Sequence, residues 1–216
     1  MISQYVDTNS GTTPKGIEVF NHTATPIVLS AGNNLQVMQG TNGAALAQVV
    51  NITSGTIPAY GVWVIGTADL ITFTPGTNET TFAFVFNGDD ALQIRLGGVV
   101  QDTFGNPGSD PGTSWSGSGV STADQNIQIL NAICLGNTTG FTDPSIRFSY
   151  VDGGNVMTGF GVAPTGCPVS SNTIATSAIV GSPYCVTGST GATVSVPFTS
   201  VGTFNGGNVY TAQLSN

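Results

Sequence analysis

The side chains that could do chemistry in this sequence are few, and the adjacent acids Asp89 and Asp90 stand out among them. They follow Asn87-Gly88, a turn-forming dipeptide. Two carboxylates beside loop carbonyls suit a hard cation such as Ca2+, which takes oxygen ligands. The same placement suits a turn in which a carboxylate caps backbone N–H groups, the commoner use of Asp there. Both uses stay open, and Ca2+ is the one cofactor the sequence admits, although no D-x-D-x-D-G spacing occurs. Neighbours on an extended chain point to opposite faces. The two acids therefore do not by themselves make the acid–base pair that glycoside hydrolysis sets across a cleft. The one histidine, His22, follows Asn21 in a turn, whereas nucleophilic catalysis needs a base held beside its nucleophile. The glycines of 105–112 lack the GK[ST] of a phosphate loop. No catalytic residue is expected, and the chain is read as not an enzyme.

Glu18 lies mid-strand between Ile17 and Val19 and is expected to face solvent or a polar loop. Asp7, Asn9, Asp102, Asp110 and Asp124 are further loop oxygens. The cysteines are Cys134, Cys167 and Cys185, with no CxxC spacing, so zinc and thioredoxin readings fail. Cys167 and Cys185 share one segment and are the expected disulfide in an oxidising compartment, leaving Cys134 odd. Three buried thiols is the alternative.

These residues need elements to hold them. Charged residues are 6% of the chain, against about 25% in typical soluble domains. Polar surface must come from Thr, Ser, Asn and Gly, which favours strands and turns over helices. The three basic residues, Lys15, Arg95 and Arg147, are scattered in a chain of net charge −8. They make no patch for nucleic-acid phosphates or anionic membranes. No apolar run approaches the roughly 20 residues of a membrane helix.

Alternation of apolar and polar residues recurs in short runs bounded by Gly, Pro and Asn, the pattern of a β-sandwich. Strands are predicted at Ile2–Val6, Lys15–Asn21, Leu35–Gln39, Ala47–Ile52, Val62–Gly66, Thr81–Asn87, Ala91–Leu96, Val99–Phe104, Asn126–Leu130 and Ile146–Val151. A single helical turn is expected near Ala68–Ile71. Phe82–Asp102 reads as two strands joined by an acidic turn that fixes a hairpin register, with Gly97-Gly98 as a second hairpin dipeptide. Trp115, in the glycine-rich loop 105–121, is either a plug for the open end of the sandwich or a ligand platform. Composition shifts after Pro164. The organisation expected is a sandwich at 1–163, a linker at 164–192, and the start of a second β domain at 193–216, with strands at Val194–Phe198 and Val209–Leu214.

Residues 2 to about 163 resemble a bacterial lamin tail domain. The motifs are Ile2-Ser3-Gln4-Tyr5-Val6, Lys15-Gly16-Ile17-Glu18-Val19-Phe20-Asn21, Thr56-Ile57-Pro58-Ala59 leading to Val62-Trp63-Val64-Ile65, Phe86-Asn87-Gly88-Asp89-Asp90-Ala91-Leu92, Val100-Gln101-Asp102-Thr103-Phe104-Gly105, Trp115, and Ser121-Thr122-Ala123-Asp124. Their order and spacing carry the likeness. It implies an all-β, immunoglobulin-like β-sandwich that serves as an accessory module with no catalytic residues of its own. Residues around Ser182–Ser215 resemble the opening of a repeated β domain in large secreted surface proteins of Bacteroidetes, through Val196-Pro197-Phe198-Thr199, Gly202-Thr203-Phe204-Asn205 and Asn208-Val209-Tyr210-Thr211-Ala212-Gln213-Leu214. That implies export by the type 9 secretion system to the cell surface. The opening MISQ carries no basic-then-apolar leader. Together with the low charge and the sequons at Asn21, Asn51, Asn78 and Asn137, it leads to the expectation that the sequence begins after processing.

The expected function is a non-catalytic binding or structural module of an exported protein. Its partners would be other domains or subunits of a surface protein, the secretion machinery or glycans. An accessory domain of a secreted nuclease or phosphatase, and a subunit of an extracellular assembly, are the alternatives.

Overall fold

The computed structural model describes residues 1–131, 133–167, 173–178 and 195–201. It divides into two units, Met1–Pro168 and Val169–Asn216. In the first unit, β1 (Ile2–Asp7), β2 (Lys15–Phe20), β7 (Val62–Gly66), β8 (Asn78–Thr81), β13 (Gln125–Ile129) and β14 (Phe148–Gly153) form a six-stranded sheet, ordered β14-β13-β1-β2-β7-β8. Its neighbours are antiparallel except the parallel pair β7–β8. A second, antiparallel sheet is ordered β10-β9-β4-β5, from β4 (Leu35–Gly40), β5 (Ala47–Ile52), β9 (Ala91–Leu96) and β10 (Val99–Phe104). Two small ladders, β3 (Ile27–Leu29) with β6 (Gly55–Ile57) and β11 (Ser116–Gly117) with β12 (Val120–Ser121), complete it. The fold is an all-β sandwich. In the second unit, β15 (Thr173–Thr176) pairs antiparallel with β16 (Phe198–Val201). The predicted strand Val209–Leu214 and part of Val194–Phe198 lie outside the described residues.

The alternation explains the packing. Tyr5 and Ile17 face each other on the inner side of β1 and β2, as do Val19 and Trp63 on β2 and β7. Together with Val37, Leu92, Ile94 and Phe104 of the other sheet they form one buried core. An aromatic series runs through it. Phe86 stacks on Tyr5 at 4.7 Å and Tyr5 on Phe104 at 4.5 Å, and Phe104 meets Phe141 and Phe148 edge-on at 5.0 and 5.4 Å.

The outer face of the six-stranded sheet is covered as well. Gly16 and Gly66 sit opposite each other there, and the short helix α1 (Ala68–Phe73) lowers Leu70 onto them. A Cβ at Gly16 would lie 2.2 Å from Leu70 Cδ2 and 2.7 Å from the Ile65 carbonyl oxygen. Leu70 joins Val6, Val64 and Phe160 in a second buried cluster on this face.

The predicted strand Thr81–Asn87 is the main departure. Only Thr81 belongs to a strand, and 82–87 has no ladder partner among the described residues. Its alternating Phe82, Phe84 and Phe86 pack on one another at 4.8 and 4.9 Å and feed the core. The apolar period is genuine, but it serves an arm that crosses between the sheets rather than a sheet member. Trp115 is 3% exposed and packs so closely on Gly105 that a Cβ there would lie 2.5 Å from the ring. It is a plug, not a platform.

Candidate functional site

Asp90 lies immediately before β9, and its carboxylate is directed at the β4–β5 connection. Oδ1 accepts from Asn42 N–H at 2.9 Å and Oδ2 from Gln39 Nε2 at 3.3 Å. Asn42 has φ 49, a backbone that a buried acceptor helps to hold. Burial, then the neighbouring Asp89 charge, push the Asp90 carboxyl up. Asp89 is 5% exposed and its Oδ1 is buried without a hydrogen-bond partner among the described residues. The acidic turn therefore anchors Thr41–Gly43 rather than setting a hairpin. The hairpin β9–β10 turns at Gly97-Gly98 instead. Among the described residues, no group of three or more His, Cys, Asp or Glu is placed to hold a metal ion.

Of the two settings expected for Glu18, solvent or a loop, the structure shows the loop. Glu18 is on the outer face but fully buried, under the segment 154–163. Ser3, the extra residue of a β-bulge in β1, donates from Oγ to Glu18 Oε1 at 2.7 Å, and Gly161 N–H donates to Oε2 at 2.7 Å. Neighbouring amides on this face hold the same segment. Gln4 Nε2 donates to the Thr158 carbonyl at 2.7 Å, and Asn126 Nδ2 to Val156 and Thr158, each at 2.9 Å. Burial raises the Glu18 pKa from 4.5 to about 7. The neutral acid is well accommodated. Ser3 Oγ also lies 3.2 Å from the Glu18 carbonyl, so it can accept from a protonated Oε1 while donating there.

Asp102 is a third anchor. Its carboxylate accepts from the N–H groups of Ile2 and Asn137, each at 2.7 Å, and from Arg147 Nη2 at 3.2 Å. Lys15 forms the other buried ion pair, with Asp7 at 2.5 Å. Two of the three basic residues are thus buried in ion pairs. Two of the sequons also have internal roles. Asn21 Oδ1 accepts from Thr23 N–H and Oγ1 at 3.0 and 2.7 Å, and Asn137 Oδ1 from Thr139 in the same way at the same distances. Both side-chain amides donate to loop carbonyls, so these motifs form Asx turns.

A cavity of about 290 Å³ opens at one end of the sandwich. Apolar lining comes from Val19, Phe20, Ile27, Leu35, Ile57 and Ile94, and polar lining from Asn21, His22, Thr23, Thr25 and Gln101. Burial lowers the His22 pKa, which favours the neutral imidazole, with one donor and one acceptor. No nucleophile or acid in the lining is joined to it by a hydrogen bond. The cavity suits a small apolar group with a polar end.

The cysteine pairing differs from expectation. Cys167 is bonded to Cys134, with Cα atoms 5.2 Å apart. Cys185 lies outside the described residues. Closeness along the chain suggested Cys167–Cys185, but pairing is set by Cα separation in the fold. Ile133 and Cys134 pack against the main core, and Cys167 meets Cys134 there across a separation of 33 residues. Compared with known proteins, the chain matches no family model, no curated protein and no solved structure.

Proposed function

We infer that this chain is a non-catalytic binding or structural module of an exported, cell-surface or extracellular protein, of the lamin-tail type and carried by type 9 secretion. One observation carries the non-catalytic reading. Of the buried carboxylates Asp7, Glu18, Asp89, Asp90 and Asp102, all but Asp89 have their oxygens engaged by backbone or side-chain donors that fix loops. Groups so engaged hold a frame and are not free to move a substrate proton. The Cys134–Cys167 disulfide supports an oxidising location. Burial of Lys15 and Arg147 in ion pairs leaves no basic face for nucleic acid. No helix among the described residues is long and apolar enough to cross a membrane. The cavity beside His22 is the surface offered to a ligand.

The test is a melting-shift screen of the chain against glycans, peptides and Ca2+, run beside hydrolase assays on polymeric substrates. Binding without turnover is the expected result, with a shift reduced by Ile94→Trp, which fills the cavity. Polymer hydrolysis abolished by Asp89→Asn would overturn the reading.

A further inference from the structure

Lys15 is the one lysine of the chain, and it serves no surface role. Its side chain is 10% exposed and that of its partner Asp7 3%. The two are opposite each other in the β1–β2 ladder, two residues beyond the core pair Tyr5–Ile17 and so on the same inward face. Lys15 Nζ lies 2.5 Å from Asp7 Oδ1 and 2.5 Å from the Phe86 carbonyl oxygen. The Phe86 ring covers it with its centroid at 5.7 Å, and Tyr5 stacks on that ring. The Tyr5 hydroxyl is fully buried and has no hydrogen-bond partner among the described residues. The other carboxylate oxygen, Asp7 Oδ2, accepts from Asp124 N–H at 3.3 Å.

We propose that Lys15 Nζ and Asp7 Cγ join in a spontaneous intramolecular amide bond, a self-made cross-link between β1 and β2. An amine and a carboxyl held in contact turn a bimolecular condensation into a unimolecular step. For the condensation the ammonium passes one proton to the carboxyl it touches, which leaves an amine with a free lone pair beside a neutral acid. Burial raises the Asp7 pKa even against its bonds to Lys15 and Asp124. The Nζ lone pair then attacks Cγ and the N–C bond forms. The Cγ–Oδ1 bond breaks, and the departing hydroxyl takes one N–H proton. One water leaves, and no oxidant, reductant or cofactor is needed. The product keeps the hydrogen bonds already present. The remaining amide N–H points at the Phe86 carbonyl, and the remaining Oδ2 accepts from Asp124 N–H. An ion pair buried at a cost is replaced by a neutral amide whose donor and acceptor are both satisfied.

The test is mass spectrometry of the whole chain after disulfide reduction. The expected mass is one water below that of the sequence, with Lys15→Arg at its full sequence mass. Trypsin cannot cut after an acylated lysine, so the peptide ending at Lys15 is absent. Residues 1–95 are instead recovered as one fragment, one water light. Asp7→Asn should form the same amide by losing ammonia and reach the mass of the wild-type product. A wild-type chain of full sequence mass, cut after Lys15, overturns the proposal. So does a water loss that persists in Lys15→Arg, which would place the dehydration elsewhere.

Discussion

At the scale of single residues, the buried carboxylates differ in what their removal would do. Glu18 is the informative case because its burial opposes its charge. Its folded pKa is about 7, against 4.5 as a free side chain. A carboxyl that holds its proton more tightly in the fold contributes most below its unfolded pKa. That contribution is lost as the pH climbs from about 4.5 to about 7, on the order of 3 kcal/mol in all. Glu18→Gln keeps an acceptor for Gly161 and a donor toward Ser3 without the charge. It should raise the melting temperature at pH 8 and change it little at pH 5. Equal gains at both pH values would show that burial of charge at Glu18 is not what matters. Asp102 has the opposite standing, since it neutralises buried Arg147 and fixes two N–H groups. Asp102→Ala should cost about 3–5 kcal/mol in urea unfolding, because a buried guanidinium is left without its counter-charge.

At the scale of elements, the Gly16–Gly66 pair decides whether α1 can dock. A methyl group at Gly16 meets both Leu70 and the Ile65 carbonyl oxygen, and only the first can swing aside. Gly16→Ala should therefore cost about 1–3 kcal/mol and raise amide exchange in Ala68–Phe73 before the sandwich strands. Pairing it with Leu70→Ala should restore only part of the loss. The disulfide is a second element-scale device. Linking Cys134 and Cys167 closes 33 residues, which contributes about 3–4 kcal/mol by the loop-entropy account. Mapping without reduction should recover these two cysteines linked, and a Cys167–Cys185 peptide would refute the pairing. The inner strands were legible in the sequence because one buried face imposes a period of two, as in Ile17, Val19 and Leu92, Ile94. The outer layer was not. Glu18 alternates with the same period whether the far face meets water or a covering segment, and only the fold brings Gly161 over it. The arm 82–87 shows the converse limit, since alternating phenylalanines report a buried face and not a ladder partner. Asp90 was legible as a capping residue but not as the anchor of a loop 48 residues away.

At the scale of the whole molecule, these residues act in one direction. Asp7, Glu18 and Asp90 all have pKa values raised, each chiefly by burial. Each therefore binds its proton more tightly folded than unfolded, so each adds stability as the pH falls toward its unfolded value. Bulk charge works the same way, because a net charge of −8 repels itself at neutral pH and shrinks as the solution nears the pI of about 4.1. Acid unfolding usually begins where paired carboxylates are protonated, and Asp102 with Arg147 is such a buried pair. The melting temperature should accordingly climb from pH 8 to about pH 5, measured by calorimetry at constant salt, and turn down only below that. Removing Glu18 by Glu18→Gln should flatten much of the climb. If Asp7 is bonded to Lys15 it no longer titrates, and the part of the slope due to raised carboxyls belongs to Glu18 and Asp90. Comparing wild type with Lys15→Arg separates the two cases, since only the variant keeps a free Asp7 carboxyl. A melting temperature that falls steadily from pH 8 to pH 5 would mean that the ionised forms hold this fold together, and that burial of these carboxylates is compensated by partners other than those that face them here.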